Sequence, residues 1–183
     1  MEFDKVIQKR VSVREFKNKK VPWHKVLDAI DSALQGPFAG NTNNLRFIIV
    51  EDENTKKVMS KHSQQNWVED AKFVIVVCSD PPKLERLYEE RGEYYSRQQA
   101  GAAVNTIMLK LADLKIGSCW VGAYSDELLK QKLKIPGHIH IEAMIAVGYP
   151  KEKVKKPDKY TLENTIRWNT WDNENKPRKT LIE

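Results

Sequence analysis

A central sheet flanked by helices is the architecture this 183-residue chain predicts, and three observations carry the prediction. Helical patterns outnumber strand patterns. The strand-like segments are separated by helical ones. One of them, "AKFVIVVCSD" (71–80), is a continuous β-branched run ended by Pro81 and Pro82, which marks a strand buried on both faces at the centre of a sheet.

The elements follow in order. Residues 2–9 read as a short amphipathic helix with Phe3, Val6 and Ile7 on one side. "VPWHKVLDAIDSALQG" (21–36) is a clearer helix: Pro22 suits the first turn, Val26, Leu27, Ile30 and Leu34 recur at helical spacing, and Gly36 closes it. "RFIIVED" (46–52) is a strand ending in acidic turn residues, and "NTKKVMSKHS" a short helix. From about Leu84 to Leu114 the pattern predicts one long helix, richest in apolar and small residues at "AGAAVNTIMLKLADL". "IGSCWVGAY" (116–124) is a turn into a strand. "SDELLKQKLKIPG" is a helix with Ser125 as N-cap, stopped before Pro136, and "HIEAMIAVGYP" (140–150) is the last core strand. The tail beyond 151 is basic and then carries Trp168 and Trp171 among polar residues, which points to an arm packing on another subunit.

Composition narrows the function classes. With 40% hydrophobic and 31% charged residues the chain reads as one folded domain. No apolar run approaches a membrane span and "MEFDKVIQKR" has no hydrophobic signal core, so a cytoplasmic location is expected. Cys78 and Cys119 both sit in apolar stretches and read as reduced core residues, and four scattered histidines without CxxC or HExxH spacing argue against a metal. The net charge of +6 invites a nucleic-acid reading, but the cations are interleaved with acids, and only "PKEKVKKPDK" (150–159) is a basic run. Anionic small molecules suit that balance equally well.

Four segments can carry chemistry. In "QKRVSVREF" (8–16), Arg10, Ser12 and Arg14 occupy alternate positions, so on a strand they share a face opposite Val11 and Val13. Two guanidiniums around a hydroxyl make an anion cradle. "GPFAGNTNN" (36–44) is a loop of small and amide residues, in which Asn41 and Asn43 can each donate and accept to a heterocycle. Gly117 and Gly122 in "IGSCWVGAY" allow backbone amides to approach a flat ligand. Lys151, Lys153, Lys155 and Lys156 could complete a phosphate site begun by Arg10 and Arg14.

The order and spacing of "KRVSVREF", "PFAGNTNN", "WVEDAKFVIVV", "AGAAVNTIMLKLADLKIGSCWVGAY" and "IPGHIHIEAMIAVGYP" resemble the nitroreductase family of FMN-dependent oxidoreductases over nearly the whole chain. The resemblance implies an α+β fold with a central, mostly antiparallel sheet, in an intertwined homodimer with FMN at the interface. Residues 1–160 would form the FMN-binding domain and 161–183 an arm on the partner subunit. Arg10, Ser12 and Arg14 would hold the phosphate and ribityl chain, with a backbone contact from Val11. Phe38, Ala39, Gly40, Asn41 and Asn43 would come from the partner subunit. Val121, Gly122 and Ala123 would lie along the isoalloxazine, Lys153 and Lys155 would add positive charge at the phosphate, and Gln64 or Gln65 would reach the ribityl chain. The chain departs from the family pattern at Val11, where a second arginine is usual, at Phe38, where serine is usual, and at Asn43, Asn44 and Leu45, which replace QPW.

The implied reaction is ping-pong: NADH or NADPH gives a hydride to the flavin, and a nitroaromatic, quinone or related small molecule then takes its place. No catalytic side chain is required, since the cofactor carries the chemistry. Trp67, Tyr94, Tyr95 and Tyr124 are candidates to line the acceptor site. The alternatives are a specialised branch, such as reductive dehalogenation or flavin fragmentation, and a flavin carrier or sensor without turnover.

Overall fold

In a computed structural model, which describes residues 2–175, four strands form one antiparallel sheet between two helical layers. The strands are β1 (Leu45–Val50), β2 (Phe73–Ser79), β3 (Gly117–Val121) and β4 (His140–Gly148), in the order β1-β2-β4-β3. The helices are α1 (Phe3–Lys9), α2 (Trp23–Leu34), α3 (Glu53–Ser63), α4 (Pro82–Tyr88), α5 (Arg91–Asp113) and α6 (Asp126–Leu133). The α+β class and the flanked antiparallel sheet are as the sequence predicts.

The side-chain period of two sorts β2 into both layers. Phe73, Ile75 and Val77 face α2 and α5, where they meet Ile30, Val104, Ile107 and Leu111. Val74, Val76 and Cys78 face the other way, onto Met59 of α3, Leu129 of α6, and Val13 and Phe16 of the N-terminal segment. Every residue of β2 is buried. A strand covered on both sides cannot alternate apolar with polar residues, which is why this run reads as continuous Val and Ile.

Two elements differ from expectation. The long helix over 84–114 is broken into α4 and α5 at Glu89, whose backbone turns to φ 51°, ψ −134°. Gly92 at the start of α5 makes the fold-back possible: a Cβ there would lie 2.2 Å from the Glu85 nitrogen and 2.5 Å from the Leu84 carbonyl carbon. The stretch 10–16 is extended but is not a ladder strand. It touches the sheet through isolated bridges, Ser12 to Ser118 and Phe16 to Pro150, with the Val13 N–H donating to the Ser118 carbonyl at 3.0 Å. Val13 is buried while Arg14 is exposed, so the expected alternation survives without a regular ladder.

Residues 151–175 contain no helix or strand, and Tyr160, Leu162 and Trp171 are exposed by 90%, 67% and 88%. The remainder of the expected arm, 176–183, lies outside the described residues. No helix among the described residues is long and apolar enough to cross a membrane.

Replacing Gly92 with alanine forces backbone apart rather than displacing a flexible side chain. The expected result is a lower urea midpoint, equivalent to a loss of about 1–3 kcal/mol. An unchanged midpoint would show that α4 does not depend on this close approach.

Candidate cofactor site

The segment 10–14 lies along the outer edge of β3, where Ser12 bridges Ser118 and the Val13 N–H donates to the Ser118 carbonyl. Burial pushes the Cys119 thiol up from its ordinary pKa, while Arg14, Ser12 and Arg10 act on it in the opposite sense. Arg10, Ser12 and Arg14 thus lie on the one segment that runs beside β3. Among the described residues no carboxylate lies within ion-pairing distance of either guanidinium. Lys9, Arg10 and Val11 also line a pocket of about 260 Å³ with Lys115, Gly117 and Ser118.

Arg14 has a further partner. Its guanidinium carbon stands 6.0 Å from the centroid of the Trp67 ring, within cation–π range. Trp67 belongs to a short 3₁₀ turn, Asn66–Val68, that follows α3. The turn is fixed because α3 ends at Gln64 in a left-handed conformation (φ 54°), and the buried Ser60 hydroxyl donates to the carbonyls of Gln65 and Asn66. Gln64 and Gln65 are thereby placed on the same connection as Trp67.

Val121 is buried against the second layer, and Gly122 and Ala123 emerge into solvent as β3 ends. Gly122 borders a polar pocket of about 430 Å³ with Tyr124, Asp126, His140 and Glu142. Tyr124 spends its hydroxyl on the Ile141 carbonyl at 3.0 Å, and burial raises its pKa well above the usual value. Tyr94 is exposed, whereas Tyr95 packs edge-on against Tyr88 with ring centroids 5.2 Å apart.

The loop with Phe38, Ala39, Gly40, Asn41 and Asn43 is elsewhere. It enters β1 at Leu45, which pairs with Ser79, and Ser79 pairs with His140 at the start of β4. Ser12 instead joins β3 beside the last residues of β4. The loop and the cradle thus occupy opposite edges and opposite ends of the sheet. The loop is rigid in its own right: Gln99 accepts from the Ala39 N–H and donates to the Asn44 amide oxygen at 2.9 Å, and Asn44 donates to the Ser96 hydroxyl at 2.5 Å and the Asp80 carbonyl at 3.2 Å. Asn44, Ser96 and Gln99 are all buried. Gly40 adopts φ 54° beneath Tyr88, whose hydroxyl would lie 2.5 Å from any Cβ. Asn43 accepts from the Leu45 N–H at 2.8 Å and keeps its amide N–H groups for other partners. Sequence reasoning missed Ser96 and Gln99, because their partners in the loop lie more than fifty residues away in sequence.

Lys153 and Lys155 are exposed. Lys156, from the same basic run, is the lysine tied to the body, donating to the Ile7 carbonyl at 2.8 Å beside Arg10. Among the described residues no group of His, Cys, Asp and Glu could hold a metal, and Cys78 and Cys119 are buried free thiols.

This antiparallel sheet between helical layers has known counterparts. A model of the nitroreductase family matches residues 7–68 and 56–149. A protein of Archaeoglobus fulgidus described as an NADH dehydrogenase/NAD(P)H nitroreductase is 30% identical over 154 residues, covering 81% of this chain and 86% of that protein. An iodotyrosine deiodinase of Thermotoga neapolitana is 25% identical over 180 residues, covering 90% and 96%. The solved structure of a nitroreductase family protein from Clostridium novyi NT matches with a TM-score of 0.77 at 25% identity, covering 94% of this chain and 96% of that one. The chain belongs to the nitroreductase family. It is an oxidoreductase.

Substituting Asn44 with alanine leaves Gln99 and Ser96 buried without their partner. Calorimetry should show a stability loss of about 1–3 kcal/mol for each orphaned group. A melting temperature equal to the parent's would mean the loop is held by other contacts.

Proposed function

We propose that the chain is an FMN-dependent NAD(P)H oxidoreductase acting on nitroaromatics, quinones or related small acceptors, and that it works as a cytoplasmic homodimer. The observation that carries this reading is the placement of Arg10, Ser12 and Arg14 on one segment along the edge of β3, with no carboxylate among the described residues paired to either guanidinium. Gathered cations repel one another, and a bound anion reverses that cost. A phosphate monoester fits the set, because guanidiniums match its oxygens with forked donors and the hydroxyl adds a small one.

In this reading Arg10, Ser12 and Arg14 bind the phosphate and ribityl chain, with a main-chain contact from Val11. Lys153 and Lys155 add positive charge from the tail, and Gln64 or Gln65 reaches the ribityl hydroxyls. The backbone amides of Val121, Gly122 and Ala123 lie beside the ring system, oriented donors for the negative charge that develops there. Phe38, Ala39, Gly40, Asn41 and Asn43 are supplied by a second copy, since one chain holds its own loop at the far edge of its sheet. Residues 161–183 pack as an arm on that second copy. When bound, FMN supplies the hydride chemistry that lets NAD(P)H and an acceptor take turns at one site. The side chains orient and exclude water, and none is needed as nucleophile or general base.

Reductive dehalogenation is a second reading, favoured by the likeness to the deiodinase of Thermotoga neapolitana.

A visible absorbance spectrum followed by anaerobic addition of NADH or NADPH tests the proposal. The expected protein is yellow and bleaches, and Arg14→Ala weakens FMN binding by roughly 1.5–3 kcal/mol, the worth of a charge-assisted hydrogen bond. A colourless protein that FMN cannot reconstitute would contradict it.

A further inference from the structure

We propose that Trp67 is a positioning residue for the cofactor phosphate, acting through Arg14. The inference rests on the reading that Arg14 binds the FMN phosphate, and goes beyond it by naming what aims that guanidinium.

Arg14 is exposed, and a long side chain at the surface ordinarily samples many rotamers. Here both ends are restrained. The backbone is held on one side by the Val13–Ser118 hydrogen bond at 3.0 Å and on the other by the Lys151 N–H donating to the Glu15 carbonyl at 2.9 Å. The guanidinium rests over the Trp67 ring at 6.0 Å. Trp67 is itself half-buried and packed against the second core layer, so one part of the indole is anchored while the ring remains available to the cation. Its main chain is fixed by Ser60 and by the Val68 N–H donating to the Gln65 carbonyl at 3.0 Å.

The chemistry suits a phosphate. A guanidinium attracted to a ring face is held by its charge, and its five N–H donors at the rim stay free. A carboxylate in the place of Trp67 would fix Arg14 equally well but would occupy those donors and cancel the charge that the anion needs. An aromatic partner orients the cation without neutralising it. Trp67 thus belongs to the phosphate end of the site and not to the acceptor pocket.

FMN and riboflavin differ only in the phosphate, so paired titrations of flavin-stripped full-length protein isolate the effect. Trp67→Leu and Trp67→Met, two apolar replacements of different shape, should each weaken FMN by about 5–30-fold, the range for a partly desolvated cation–π contact. Riboflavin affinity should stay within about twofold, and Trp67→Phe should restore FMN binding, because the ring face is kept. Arg14→Ala should show the same selective loss for FMN. If Arg14→Ala discriminates FMN from riboflavin while the Trp67 variants weaken both flavins equally, or neither, the positioning role is overturned and the phosphate assignment stands. If Arg14→Ala shows no discrimination, both fall together.

Discussion

The burial of β2 and β4 on both faces is the constraint on which the rest of the molecule depends. Every residue of β2, and every residue of β4 except His140 and Glu142, is buried. Such a pair needs a helical layer on each side and leaves β1 and β3 as the edges. The outer edge of β3 is then met by the irregular segment 10–16 through Ser12 and Val13 at Ser118, while Phe16 bridges Pro150 just past β4. Packing enforces that placement: Val13 and Phe16 enter the second core layer, and a Cβ at Gly148 would lie 2.7 Å from the Phe16 ring. Arg10, Ser12 and Arg14 are carried to the edge of β3 as a consequence of burying their neighbours.

The same sheet order separates the parts of the site. The amide loop belongs to the β1 edge, where Gln99, Asn44 and Ser96 hold it in place before any ligand arrives. In the proposed reading, the cationic segment at one edge and the amide loop at the other are two halves of one site used between two copies. With the loop held by Gln99 and Asn44 and the segment 10–16 bridged to the sheet, binding in that reading would order little additional chain. Any ligand that binds only the assembled form also stabilises it by mass action.

Much of this was legible in the sequence because burial writes periodicity. The Val and Ile run of β2, the helical spacing in α2, and the alternation of Val13 with Arg14 all follow from which face is covered. The break at Glu89 was not legible, because helix-forming residues flank it and only the close approach at Gly92 requires it. Nor were Ser96 and Gln99, whose role depends on a loop more than fifty residues away in sequence. The assignment of charge at the tail was partly visible: the basic run was evident, but the anchoring of Lys156 on Ile7 depends on where α1 ends. Local rules find elements, while contacts across the fold decide which polar side chains are already committed.

The central claim is that one cofactor site draws its cradle from one chain and its loop from another. Subunit complementation tests it most directly. One chain carries Arg14→Ala. The other carries Asn41→Asp and Asn43→Asp, which keep the acceptor for the Leu45 N–H while setting carboxylates against an anionic cofactor. Each variant alone should lose FMN. In a purified heterodimer both lesions fall in one site and the other site is intact, so the account predicts that FMN binding returns at half the parental content. A heterodimer that binds no FMN would contradict it, and so would loop-variant homodimers that bind FMN as the parent does.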